Sequence, residues 1–306
     1  MKKLFTIALF MSVALASTAT QFTTRTFKLT DFTILDVSNV IKVVYTQGEP
    51  YSVKLTGQSD LINLVEVKAE GGKLSVKAKN SKKLRNVKKK DMPDGQHHFV
   101  LHLTAPCLEN ILLSGVCSFE AKRISPDYLF VRISGASKLN IDAIEVPSFH
   151  TEIDGASEVK VKDIACRELK VDIRGASKIY LNSIAATKCI SFVNGASKLS
   201  FDKLTKNEEA NFSFGGASKA TINATTSGLL QVGLSGASNG ELTYKGGRLR
   251  TACTGASKLN ANVNCTAIQA NCDGASKTSF SGTADKVEID RSGVAVNIDT
   301  SRLNQF

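Results

Sequence analysis

The chain has 306 residues, 42% of them hydrophobic, so it is long and apolar enough to bury a large core. Tryptophan is absent and aromatic residues make up only 7%, which suits an aliphatic core better than an aromatic carbohydrate cleft. The net charge of +11 points toward acidic partners, such as anionic glycans, lipopolysaccharide or acidic proteins.

Residues 1–19 read as a signal peptide. Lys2 and Lys3 begin it, Leu4 to Leu15 is a short apolar run, and Ala14, Ala16 and Ala19 offer small residues for cleavage. No later stretch approaches the roughly 18 apolar residues that a membrane helix needs, so no transmembrane segment is expected. Export also removes nucleic acid from the expected partners.

Residues 20–106 carry a β pattern without a repeat. Phe27 to Ile34, Ile41 to Tyr45, Tyr51 to Leu55 and Lys73 to Ala78 alternate, separated by turn-like Gln47-Gly48-Glu49-Pro50 and Glu70-Gly71-Gly72. Leu61 to Val65 fits one helical turn or a further strand. This segment reads as an irregular N-terminal β cap on the repeats that begin at residue 107. Within it, the basic run Lys79, Lys82, Lys83, Arg85, Lys88, Lys89 and Lys90 is best accounted for as a solvated hairpin tip.

From residue 107 to 306 one motif recurs. Ser134-Gly135-Ala136-Ser137-Lys138-Leu139 is the first full copy, and degraded copies lie at Ser114-Gly115-Val116 and Ser292-Gly293-Val294. The glycines fall at 115, 135, 155, 175, 195, 216, 236, 255, 274 and 293, a step of 20 residues give or take one. Apolar or β-branched residues sit six, four and two before each glycine (Phe149, Thr151, Ile153) and four, six and nine after it (Val159, Val161, Ile164). Such a unit holds two short strands and a weaker third segment, and it cannot bury its apolar face alone. The expected fold is therefore all-β, a parallel β-helix of about ten coils of ~20 residues. The glycine would permit a corner, the alanine would fit a tight interior, and the serine would bond to corner backbone.

The Gly-Ala-Ser repeat, together with Val37 to Gly48 and Val53 to Gly57, resembles the family called "putative auto-transporter adhesin, head GIN domain", exported proteins of Bacteroidetes-type bacteria. The resemblance covers nearly the whole mature chain. It implies a secreted, non-enzymatic binding or adhesion protein of the cell envelope, in the periplasm, at the outer surface or outside the cell.

Candidate chemistry is sparse. Seven cysteines in an exported chain leave one unpaired at least, and Cys253 and Cys272 fall on the inward register, as small core residues. There is no Cys-x-x-Cys pair and no metal-ligand spacing, so neither cofactor nor metal is expected. The acids are scattered, and His97, His98, His102 and His150 form no triad; no catalytic residue is assigned, and an enzyme is not expected. The alternatives are a polysaccharide lyase or hydrolase, which some β-helices are, or a purely structural envelope component. What remains is a row three residues after each glycine: Lys138, Lys178, Lys198, Lys219, Lys258 and Lys277, broken by Glu158 and Asn239. Its plainer reading is a device for solubility that keeps the corner from pairing, and its functional reading is a binding stripe for an anionic polysaccharide or cell-surface component.

Overall fold

A computed structural model describes residues 20–79, 82–293 and 296–305; the signal-peptide expectation lies outside them. Among the described residues twenty strands form one hydrogen-bonded sheet wound into a parallel β-solenoid of about ten turns. Strands β11 (Lys138–Gly155), β12 (Glu158–Gly175) and β13 (Lys178–Gly195) show the repeat most clearly. They stack in parallel with a register of 20, so Lys138 lies against Glu158 and Gly155 against Gly175. Coils of 19 or 21 residues fit because the odd residue is absorbed where register shifts, between Phe201 and Leu204 and between Thr226 and Leu229.

The apolar periodicity explains this winding. Phe149, Ile153, Val159, Val161 and Ile164 are each no more than 2% exposed, and Thr151 joins them inside. The third segment is a full strand, and no turn separates it from its neighbours. One strand runs from corner to corner and bends where two consecutive residues face outward, at Asp142–Ala143 and Pro147–Ser148. Strict alternation would keep a strand straight; a doubled outward step turns the next apolar residue back toward the axis.

Gly155 has two reasons to be glycine. Its φ is +95°, and a Cβ there would come within 2.5 Å of the carbonyl oxygen of Gly135 on the coil before. That close approach lets Ala156 N–H donate to Gly135 O at 2.8 Å, which continues the intercoil ladder around the corner. The alanine expectation is overturned: Ala136, Ala156 and Ala176 face solvent, and the serine occupies the interior. Ser177 is 1% exposed; its hydroxyl accepts from Ser157 N–H at 3.2 Å and donates to Gly155 O at 3.2 Å. The hydroxyl thus pairs a corner N–H and adds a second donor to a carbonyl that the ladder already uses, and at the first corner the Cys117 thiol takes the same place, donating to Ser114 O at 3.1 Å.

Residues 20–106 enter the same sheet. Strands β2 (Ile34–Ser38) and β3 (Ile41–Gln47) stack in parallel on β8 (Asn110–Ser114) and β9 (Ser118–Ile124), so 34–47 form a coil directly before the repeats. Asn39 and Val40, with φ of 64° and 48°, take the left-handed corner that glycine takes elsewhere. Strands β6 (Lys73–Ala78) and β7 (Phe99–Ala105) make one more coil on the far side of 34–47. Beyond it only antiparallel pairings occur: β5 (Val65–Glu70) on β6, β4 (Ser52–Gln58) on β7, and β1 (Phe22–Phe27) on β4. Leu61 to Val65 contains a 3-10 turn, Ile62–Leu64. At the other end Arg291 pairs with Cys272 and is exposed, and no strand among the described residues pairs with its outer side.

This register can be tested by substitution. Ile173→Asp places an unpaired charge in the ladder and should cost about 4 kcal/mol or more, whereas outward-facing Asp172→Asn should change stability by about 1 kcal/mol or less. Equal melting temperatures for the two variants would reject it. Ser177→Ala strips Ser157 N–H of its partner, leaves Gly155 O only its bond from Ala176 N–H, and should cost about 1–3 kcal/mol, against about 0.5 kcal/mol or less for Ala176→Ser, as read by urea unfolding.

Candidate binding faces of the solenoid

In-register stacking turns each outward position into a row along the solenoid axis. The position three after the glycine reads Lys138, Glu158, Lys178, Lys198, Lys219, Asn239, Lys258, Lys277 from coil to coil. All six lysines are exposed. Lys178, Lys198 and Lys219 are consecutive, about 4.8 Å apart at the backbone, and Lys258 and Lys277 form a second adjacent pair. Among the described residues, none of the six is held in an ion pair within 4 Å. The Tyr180 ring lies beside the row, 5.4 Å from Lys198 Nζ and 5.8 Å from Lys160 Nζ. Glu158 interrupts the row and hydrogen bonds Lys160 at 2.6 Å. That bond, with Lys138 and Lys178 on either side, holds its carboxyl below the usual range.

A second constellation joins residues that are remote in sequence. His150 Nε2 stands 3.3 Å from Asp172 Oδ2 and 3.8 Å from Glu152 Oε1 on the outer face before the corner. One imidazole and two carboxylates could grip a metal ion. The carboxylates are already matched: Arg132 holds Glu152 at 2.6 Å, and Lys170 holds Asp172 at 3.0 Å. Phe130 packs edge-on to His150 at 5.2 Å, with the Arg132 guanidinium over its other side. The signal for this group lies in aligning offsets from successive glycines, since residues 150 and 172 meet only through the register.

A depression of about 650 Å³ lies where β3 meets β9 and is lined by Tyr45, Gln47, Glu120, Lys122, Arg123 and Asp142. Three of its four charges are matched, Glu120 to Lys42 at 3.0 Å, Asp142 to Lys162 at 2.6 Å, and Arg123 to Glu145. The seven cysteines are free thiols. Cys253 and Cys272 are neighbours in register inside the core, and the hydrogen bond between them raises the first thiol and lowers the second. Burial pushes the Cys117 and Cys265 thiols up to about 11, which leaves them protonated at neutral pH.

With this geometry in place the chain can be compared with known proteins. The model of the family described as "Putative auto-transporter adhesin, head GIN domain" matches residues 31–247. The chain belongs to that family. The match takes in the coil at 34–47 as well as the first seven Gly-corner coils, so the head GIN domain here includes the non-repeating strands. No relative among curated proteins matches. The chain is similar to the crystal structure of a putative adhesin from Bacteroides fragilis NCTC 9343, at 17% identity over 92% of this chain and 98% of that one, with a TM-score of 0.51. It is also similar to that of a putative adhesin from Parabacteroides distasonis ATCC 8503, at 14% identity over 92% and 97%, with a TM-score of 0.55. At such identities the likeness shows the fold alone. Family membership supports a non-enzymatic, adhesin-like role at the surface or outside the cell. Among the described residues, no helix is long and apolar enough to cross a membrane.

The matched charges around His150 predict that this group takes no metal. Melting temperature should be the same in Zn²⁺ and in EDTA. Bound Zn²⁺ at a hundred times its Kd would add about 2.7 kcal/mol, a shift that calorimetry resolves easily.

Proposed function

We propose that this is an exported, non-enzymatic adhesin-like protein that holds an anionic polysaccharide or similar surface polymer along its lysine row. Residues 1–19 direct export, residues 20–106 close the first end of the solenoid, and residues 107–306 present the binding face. One observation carries the reading: Lys178, Lys198 and Lys219 are adjacent and exposed, and among the described residues none of the three is in an ion pair within 4 Å, so three like charges stand in line. A solenoid gives a linear polymer a matching linear array, one cation per coil, and several weak contacts made at once add up to useful avidity. Each contact is exposed, so binding should fall steeply as salt is raised.

Exchanging Lys178, Lys198 and Lys219 together for Gln tests it. Binding to heparin or polygalacturonate at low salt should fall by about tenfold or more, well beyond any single exchange. Melting temperature should hold or rise, because the exchanges relieve repulsion between like charges. If the unchanged protein binds neither polymer, or the triple variant binds them equally well, the row serves solubility and this reading fails.

A further inference from the structure

The outer face on the other side of the corner carries a row of different character. Three residues before each glycine from Gly135 on it runs Arg132, Glu152, Asp172, Phe192, Ser213, Gly233, Ala252, Asn271, Asp290. Large side chains fill this line as far as Phe192, and then three consecutive coils leave it open. The outcome is a trough along the axis, two depressions of about 530 and 290 Å³ that meet at Ser213.

Gly233 shows that the opening is not demanded by the fold. It lies inside strand β16 (Lys219–Leu234) with no left-handed φ, and a Cβ there would meet only Phe212 O, at an ordinary 3.8 Å. Every corner glycine differs from it in both respects. Glycine in a strand interior weakens the strand, and where packing does not call for it, it marks the close approach of something else.

The walls say what approaches. On one side stand Asn211, Gln231, Arg250 and Gln269, one per coil, at the position five before the glycine. No hydrogen bond within the described protein occupies the side-chain amides of Asn211, Gln231 or Gln269. Each amide offers a donor and an acceptor side by side, which is the complement of neighbouring hydroxyls. Lys170, Asp172 and Arg174 line the trough at its Phe192 end; from Asn194 onward the lining contains no carboxylate, and Arg250 is its one charge. At the closed end the Phe192 ring is 48% exposed, a large apolar face beside a polar trough.

We propose that this trough binds a linear, uncharged oligosaccharide laid parallel to the solenoid axis, with hydroxyls on the amide row and one ring stacked on Phe192. An aromatic platform flanked by a few converging polar groups is how proteins orient such ligands. The rise of about 4.8 Å per coil is close to the length of one sugar residue, so successive sugars meet successive amides. The lysine row lies on the other strand face of the corner, and this site does not rest on it.

The experiment titrates the full mature chain with hexasaccharides of β-1,4-linked glucose, xylose and mannose by calorimetry or NMR, with tri-galacturonate as the charged control. At least one neutral hexasaccharide should bind with a Kd of ~1 mM or tighter. Gly233→Gln, which fills the trough, should abolish that binding, and Phe192→Ala should weaken it about tenfold. The Lys178, Lys198 and Lys219 triple exchange should leave it unchanged. Should Gly233→Gln fold poorly by melting temperature, Ala252→Gln on the exposed next coil fills the same line. No binding by any neutral hexasaccharide, equal binding by the filled variant, or tighter binding of the galacturonate than of the neutral sugars by the Lys178, Lys198 and Lys219 triple variant would each overturn the proposal.

Discussion

Everything in this molecule depends on the hydrogen bonding of each coil to the next around a corner. Ala156 N–H to Gly135 O, Glu158 N–H to Ser137 O and their repeats carry the parallel ladder through a bend where most chains would break pairing. At the repeated corners glycine lets the backbones approach that closely, and in most of them a small inward hydroxyl bonds corner backbone. The Gly-Ala-Ser motif is the chemical record of that constraint, with alanine as its solvent-facing member.

Once coils are locked in register, surface chemistry becomes a set of rows. Side chains at one offset are held close together whether or not they attract. Arg132, Glu152, Lys170 and Asp172 show rows used for charge matching, with His150 and Phe130 packed among them. Lys178, Lys198 and Lys219 show the opposite, like charges kept adjacent. Ser213, Gly233 and Ala252 show a third use, side-chain volume withheld over successive coils. A periodic scaffold can therefore build extended sites by changing one residue per coil, while the core positions stay aliphatic.

The non-repeating N-terminal strands obey the same rule by other means. Asn39 and Val40 form a left-handed corner without glycine, and Asn39 Nδ2 secures it by donating to Ala78 O at 3.0 Å. The chain inserts residues 34–47 between the coil at 73–105 and the first repeat, so sequence order and stacking order differ there. The basic run falls in the long connection from β6 to β7, where helix α1 (Lys82–Arg85) and the turn Lys89–Asp91 sit at the edge of the last parallel coil.

The repeat by itself determined the fold class, the coil length and the inward positions, because a period of 20 with internal alternation has few ways to bury its apolar face. Phe149, Ile153, Val159 and Ile164 could be placed inside from spacing alone. The sense of Ala136 and Ser137 could not, since both are small and only the corner's geometry says which one turns inward. Nor could the sequence show the pairing of His150 with Asp172, the stacking of 34–47 on the first repeat, or the trough at Gly233. Each of these depends on which residues of separate coils come to lie side by side, and hydrogen bonding between coils sets that, not proximity along the chain.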